Sequence, residues 1–92
     1  MKISKTTTYQ AELLFILKYI AKDKISASKN FKKELDSQIK DIPNFPYKYR
    51  KSIYFNDENV RDMIFRGYTI NYEVDLYKNT IFILSIFNKN KP

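Results

Sequence analysis

Residues 60–74 restrict the fold more tightly than any other stretch of this 92-residue chain. From Tyr68 onward the sequence alternates without a slip. Tyr68, Ile70, Tyr72 and Val74 fall on one side, and Thr69, Asn71 and Glu73 on the other. That period of two marks a half-buried strand. Residues 60–65 are rich in β-branched and aromatic side chains, and between the two runs stands Gly67, the single glycine of the chain. A lone glycine between strand-like runs supplies the positive φ that a tight hairpin turn demands. The stretch therefore predicts a β-hairpin with its turn at Arg66-Gly67.

Upstream, the periodicity changes. Residues 2–5 form a short β-prone run suited to an edge strand protected by lysines, and Thr6, Thr7 and Thr8 can cap a helix that begins beside them. That helix is expected from about Thr8 to Lys22. Its stripe is Tyr9, Leu13, Ile16, Leu17 and Ile20, widened by Leu14 and Phe15. Lys22-Asp23-Lys24 interrupts it. Ser26 is the expected N-cap of a second helix reaching about Ile42, with Ala27, Phe31, Leu35, Ile39 and Ile42 as its stripe. Pro43 ends that helix, since it lacks the amide and restricts its predecessor. A short additional strand is expected at Ile53-Tyr54-Phe55. Residues 80–87 are almost continuously apolar, which points to an interior strand covered on both surfaces. The expected architecture is a single α+β domain over residues 1–92, in the order β-α-α-β-β-β. The helical hairpin packs on one face of a mostly antiparallel sheet.

Charge narrows the range of partners. Seventeen Lys and Arg face ten Asp and Glu, a formal +7, which favours a polyanionic partner. The chain has neither cysteine nor histidine. Disulfide frameworks and zinc-finger ligand sets are excluded, and so is the commonest general base. No glycine-rich phosphate loop can be built, and no cofactor is indicated. Asp57, Glu58 and Asp62 are the densest carboxylates, but a solvated turn explains them better than a metal site. The apolar run 13–17 is broken by Lys18 and lies far below the length of a membrane span, so a cytoplasmic protein without a membrane partner is expected. The run Tyr47-Lys48-Tyr49-Arg50-Lys51 interleaves aromatics with cations, a pattern suited to stacking on bases beside phosphates. It is equally compatible with an ordinary solvated linker. With Arg61, Arg66, Lys89 and Lys91, Arg50 and Lys51 make up the expected target-binding or nucleic-acid-binding surface.

The element order and several local motifs resemble the RelE/ParE superfamily, the toxin components of bacterial type II toxin–antitoxin modules. The motifs are Tyr19-Ile20-Ala21, the proline loop Ile42-Pro43, Val60-Arg61-Asp62-Met63-Ile64, the run from Gly67 to Val74, and Ile83-Leu84-Ser85-Ile86-Phe87. The resemblance covers essentially the whole chain. It implies a growth-inhibiting toxin of the plasmid-stabilising kind, neutralised by a cognate acidic antitoxin in a hetero-oligomer. Phe15, Tyr19, Phe31, Phe45, Tyr47 and Tyr54 exceed what a small core needs and are the expected antitoxin-binding residues. RelE-like members cleave ribosome-bound messenger RNA, and Arg61 and Lys89 are the positions here that could serve such an activity. The chain departs from that pattern, because Thr69 follows Tyr68 and no tyrosine or histidine follows Phe87. ParE-like members inhibit DNA gyrase instead, and the missing proton-transfer residue favours that non-enzymatic branch. Two alternatives stand beside it: a ribosome-dependent ribonuclease, and a small nucleic-acid-binding module without toxicity.

Overall fold

A computed structural model describes residues 1–88. The predicted hairpin is its central feature. Strands β3 (Val60–Phe65) and β4 (Tyr68–Asp75) pair antiparallel from Val60 opposite Glu73 to Phe65 opposite Tyr68. Arg66 and Gly67 form the turn, with φ of 49° and 83°. Two successive positive-φ residues match the right-handed twist of the flanking strands, as a type I′ turn requires.

Five strands make one sheet, in the order β1 (Lys2–Lys5), β5 (Thr80–Asn88), β4, β3 and β2 (Arg50–Lys51). Strand β1 runs parallel to β5, and the other pairs are antiparallel. Strand β5 lies between β1 and β4, as its two-sided apolar sequence predicts. The ladder slips at Asn71/Tyr72, so Ile70 faces Ile86 while Tyr72 faces Ile83. This irregularity keeps Ile81, Ile83 and Ile86 together on the helix-facing side of the sheet.

The helices are α1 (Thr7–Asp23) and α2 (Ile25–Asp41), followed by a 3-10 turn at Ile42–Asn44. Thr6 caps α1: its Oγ1 accepts from the Tyr9 amide at 3.0 Å and donates to the Leu84 carbonyl at 2.8 Å. One side chain thus satisfies a helix end and ties it to β5. The expected Ser26 cap is not formed. Lys24 alone separates the helices, in an extended conformation, and serves both as C-cap of α1 and N-cap of α2 without a side-chain bond. The join is secured instead by Ser28, whose Oγ donates to the Leu17 carbonyl at 2.8 Å. Tyr9, Leu13 and Ile16 from α1 and Phe31, Leu35 and Ile39 from α2 pack on Met63, Phe65, Ile70, Tyr72 and the β5 isoleucines.

The additional strand is displaced from its expected position. It is β2 (Arg50–Lys51), paired with Asp62 and Arg61, and residues 53–55 are not in a strand. The ladder continues only as far as Ser52, whose amide donates to the Val60 carbonyl at 2.8 Å. The Ile53 amide then turns to the Asp62 side chain, drawing the chain off the sheet edge.

Candidate functional site

The expected cationic surface divides into separate locations, most of them already paired. At the β2–β3 edge, Arg61 Nε donates to the Glu58 carbonyl at 3.0 Å and its Nη1 to the Tyr49 carbonyl at 3.2 Å. Its guanidinium also lies 4.9 Å from the centre of the Tyr47 ring. Glu58 holds Arg61 and Lys51 together, at 3.5 and 3.3 Å. Arg50 points to the other side of the sheet, 3.7 Å from Asp62. Arg66 sits at the far end of β3, paired with Glu34 of α2. Lys89 and Lys91 lie outside the described residues.

Around Arg61, Pro46 and Tyr49 are fastened to the sheet, and Tyr47 to Arg61. The Tyr72 hydroxyl donates to the Pro46 carbonyl at 2.6 Å, and the Tyr49 and Tyr72 rings meet edge to face at 6.3 Å. Burial raises the Tyr72 phenol above its ordinary pKa, Tyr49 adds to the rise, and Arg61 offsets part of it. Tyr72 therefore stays protonated at neutral pH and acts as a donor. The interleaved run 47–51 is thus neither free linker nor a continuous stacking platform. Tyr47 donates to Asn59 at 2.7 Å, and Lys48 lies over the Tyr49 ring at 5.4 Å.

Asp62 does not join Asp57 and Glu58 in a solvated turn. Its side chain is completely buried on the sheet face away from the helices. Oδ1 accepts from Asn71 at 2.6 Å and Oδ2 from the Ile53 amide at 3.2 Å, while Ser85 donates to Asn71 at 2.6 Å. This chain of bonds crosses β3, β4 and β5 and holds residue 53 against them. Tyr54 meets Phe87 edge to face at 5.1 Å in the same layer. Only the unbroken alternation of Asn71 opposite Tyr72 and Ile70 in the sequence hinted at a polar layer here. Among the described residues no group of three or more potential ligands could hold a metal ion.

The expected antitoxin-binding residues are also dispersed. Phe15 and Tyr19 are 74% and 66% exposed on the outer face of α1, joined there by Leu14. Phe45 and Tyr47 are exposed beyond α2, and Tyr54 lies on the opposite sheet face. Phe31 is a correction. It is only 3% exposed, because its place in the α2 stripe sets it edge-on to Phe65 and Tyr68 at 5.1 and 5.5 Å. It is a core residue rather than a surface contact. No helix among the described residues is long and apolar enough to cross a membrane.

A helical hairpin on an open five-stranded sheet, with apolar side chains exposed on its first helix, has the fold of the RelE/ParE superfamily of toxins. The sequence matches the model for the ParE toxin of type II toxin–antitoxin system, parDE, over residues 3–91, and the chain belongs to that family. Its fold is similar to that of a chain from the chromosomal ParDE TA system from P. aeruginosa. The TM-score is 0.75 at 16% sequence identity, covering 96% of this chain and 95% of that one. No curated protein matches the sequence.

Proposed function

We propose that this toxin inhibits DNA gyrase and is held inactive by a cognate acidic antitoxin. The observation that carries the gyrase reading is the state of Arg61. Two hydrogen bonds to backbone carbonyls, an ion pair and a ring contact make it a structural group of the β2–β3 edge. Cleavage of a phosphodiester needs a base, an acid for the leaving oxygen and free cations for the transition-state charge. The chain contains no histidine, and Arg61 is already engaged in holding the fold. Inhibition by binding needs none of these groups.

The antitoxin is proposed to dock on the outer face of α1. Leu14, Phe15 and Tyr19 lie within two helical turns there, with Lys18 and Lys22 between and beyond them. Neither lysine has an ion-pair partner among the described residues, which favours an acidic amphipathic segment. Purified protein should inhibit supercoiling by gyrase, and the product of the neighbouring antitoxin gene should relieve that inhibition. Ribosome-dependent cleavage of a reporter message, with supercoiling unaffected, would replace this reading with the ribonuclease one.

A further inference from the structure

Two shallow depressions run end to end along the outward side of α2 and meet at Ser37. Asn30, Lys33, Arg66 and its partner Glu34 line the first, and Gln38, Lys40, Lys48 and Asp41 line the second, so cations outnumber carboxylates two to one. The acidic residues of this helix are all engaged. Glu34 pairs with Arg66, Asp36 with Lys5 and Lys32, and Asp41 accepts from Asn44 at 2.7 Å. Lys29, Lys33 and Lys40 have no ion-pair partner among the described residues. At spacings of four and seven residues they share one side of the helix, Lys33 and Lys40 on the groove and Lys29 one turn before it. They span roughly 16 Å of its axis, the rise of about five base pairs.

We propose that this groove binds the phosphate backbone of a nucleic-acid duplex without reading its bases. Its chemistry separates that ligand from a protein partner. Protein interfaces are held by buried aromatic or aliphatic anchors. The exposed ones lie on α1, at Ile25 where α2 begins, at Ile64 and in the loops, whereas half-buried Ala27 and Tyr49 are the only apolar residues lining the groove. Amide side chains between cations, as at Asn30 and Gln38, are what a phosphate backbone uses. Apart from Arg66, which the sequence placed on the expected target-binding surface, the proposal uses residues other than those of the gyrase and antitoxin readings, and it stands independently of them.

The test is fluorescence anisotropy of the purified full chain with labelled DNA and RNA duplexes of about 20 base pairs, between about 50 and 200 mM salt. Binding to either duplex is expected, with log K falling against log salt at a slope of about −3 to −4, as about four phosphate contacts require. The duplex bound more tightly identifies the source of the backbone. Lys33→Gln with Lys40→Gln should weaken binding about tenfold or more and reduce the slope by about 2. Both replacements are exposed and keep helix propensity, so the circular dichroism of the variant should match the wild type. Lys18→Gln with Lys22→Gln removes the same charge from α1 and should leave binding nearly unchanged. Equal weakening by the two double variants would overturn the proposal, because binding would then follow net charge. So would the absence of binding at low salt, or polyglutamate binding as tightly as the duplexes.

Discussion

Asn71 Nδ2 donates to Asp62 Oδ1 at 2.6 Å on the sheet face away from the helices, and both residues are almost wholly buried. The bond joins neighbouring strands β3 and β4 directly across the ladder, where the two residues face each other. Through Ile53 the same carboxylate holds the segment that leaves β2. A buried carboxylate is tolerated because the Asn71 amide and the Ile53 N–H donate to it and the Arg50 guanidinium lies 3.7 Å away. Asp62→Ala should cost about 2–4 kcal/mol, because it strands the Asn71 amide and the Ile53 N–H without an acceptor. Urea denaturation measures this, and a loss well below 1 kcal/mol would show that the carboxylate does not hold the layer together.

Gly67 has φ of 83°, and a Cβ placed there meets nothing within 4 Å. Any penalty at this position is therefore backbone strain, with no steric clash to complicate it. Gly67→Val should destabilise by about 1 kcal/mol or more, read from the thermal midpoint. An unchanged midpoint would mean that the turn relaxes to another type.

Two buried tyrosines should respond in opposite ways to loss of their hydroxyls. The Tyr72 hydroxyl donates to Pro46, so Tyr72→Phe should cost about 1 kcal/mol and loosen residues 45–49. The Tyr9 hydroxyl is buried with no hydrogen-bond partner among the described residues. Tyr9→Phe should then be neutral or stabilising, since it removes an unsatisfied polar group. Paired denaturation curves settle both, and destabilisation by Tyr9→Phe would contradict the assignment.

Alkaline stability rests on the same two rings. Burial raises the phenol of Tyr9, reinforced by Asp36, and burial raises that of Tyr72 as well. In the unfolded chain both ionise near pH 10, while the folded protein retains both protons. Their contribution is therefore intact below about pH 10 and is lost progressively above it. Thermal scans between about pH 8 and 11 should show a decline that begins near 10, reduced in Tyr72→Phe relative to its own neutral value.

Phe15→Ala and Tyr19→Ala should leave the fold almost untouched, within about 0.5 kcal/mol, because both side chains are mostly exposed. Each should weaken antitoxin binding by about 1 kcal/mol or more if α1 carries the docking face. Calorimetric titration with the antitoxin measures this, and full affinity in the double variant would exclude the α1 face.

Much of the fold was legible because it depends on short-range preferences. Alternation from Tyr68 to Val74 and one glycine define the hairpin, and three- and four-residue spacing defines both helices. Proline ends the second of them. These signals act within a few residues, so the sequence alone determines them. Which aromatic residue is buried was not legible. Phe15 and Phe31 both lie on amphipathic helices, yet one faces solvent and the other meets Phe65 and Tyr68. The sheet, remote in sequence, decides which side of each helix it covers. Charge behaves likewise. Asp62 reads as part of an acidic turn until pairing brings Asn71 opposite it, and Arg66 reads as a free cation until folding brings Glu34 to it across 32 residues. Periodicity encodes where a chain bends and which residues share a side. Burial and charge compensation are properties of groups that meet only when distant segments pack, and only the tertiary structure decides them.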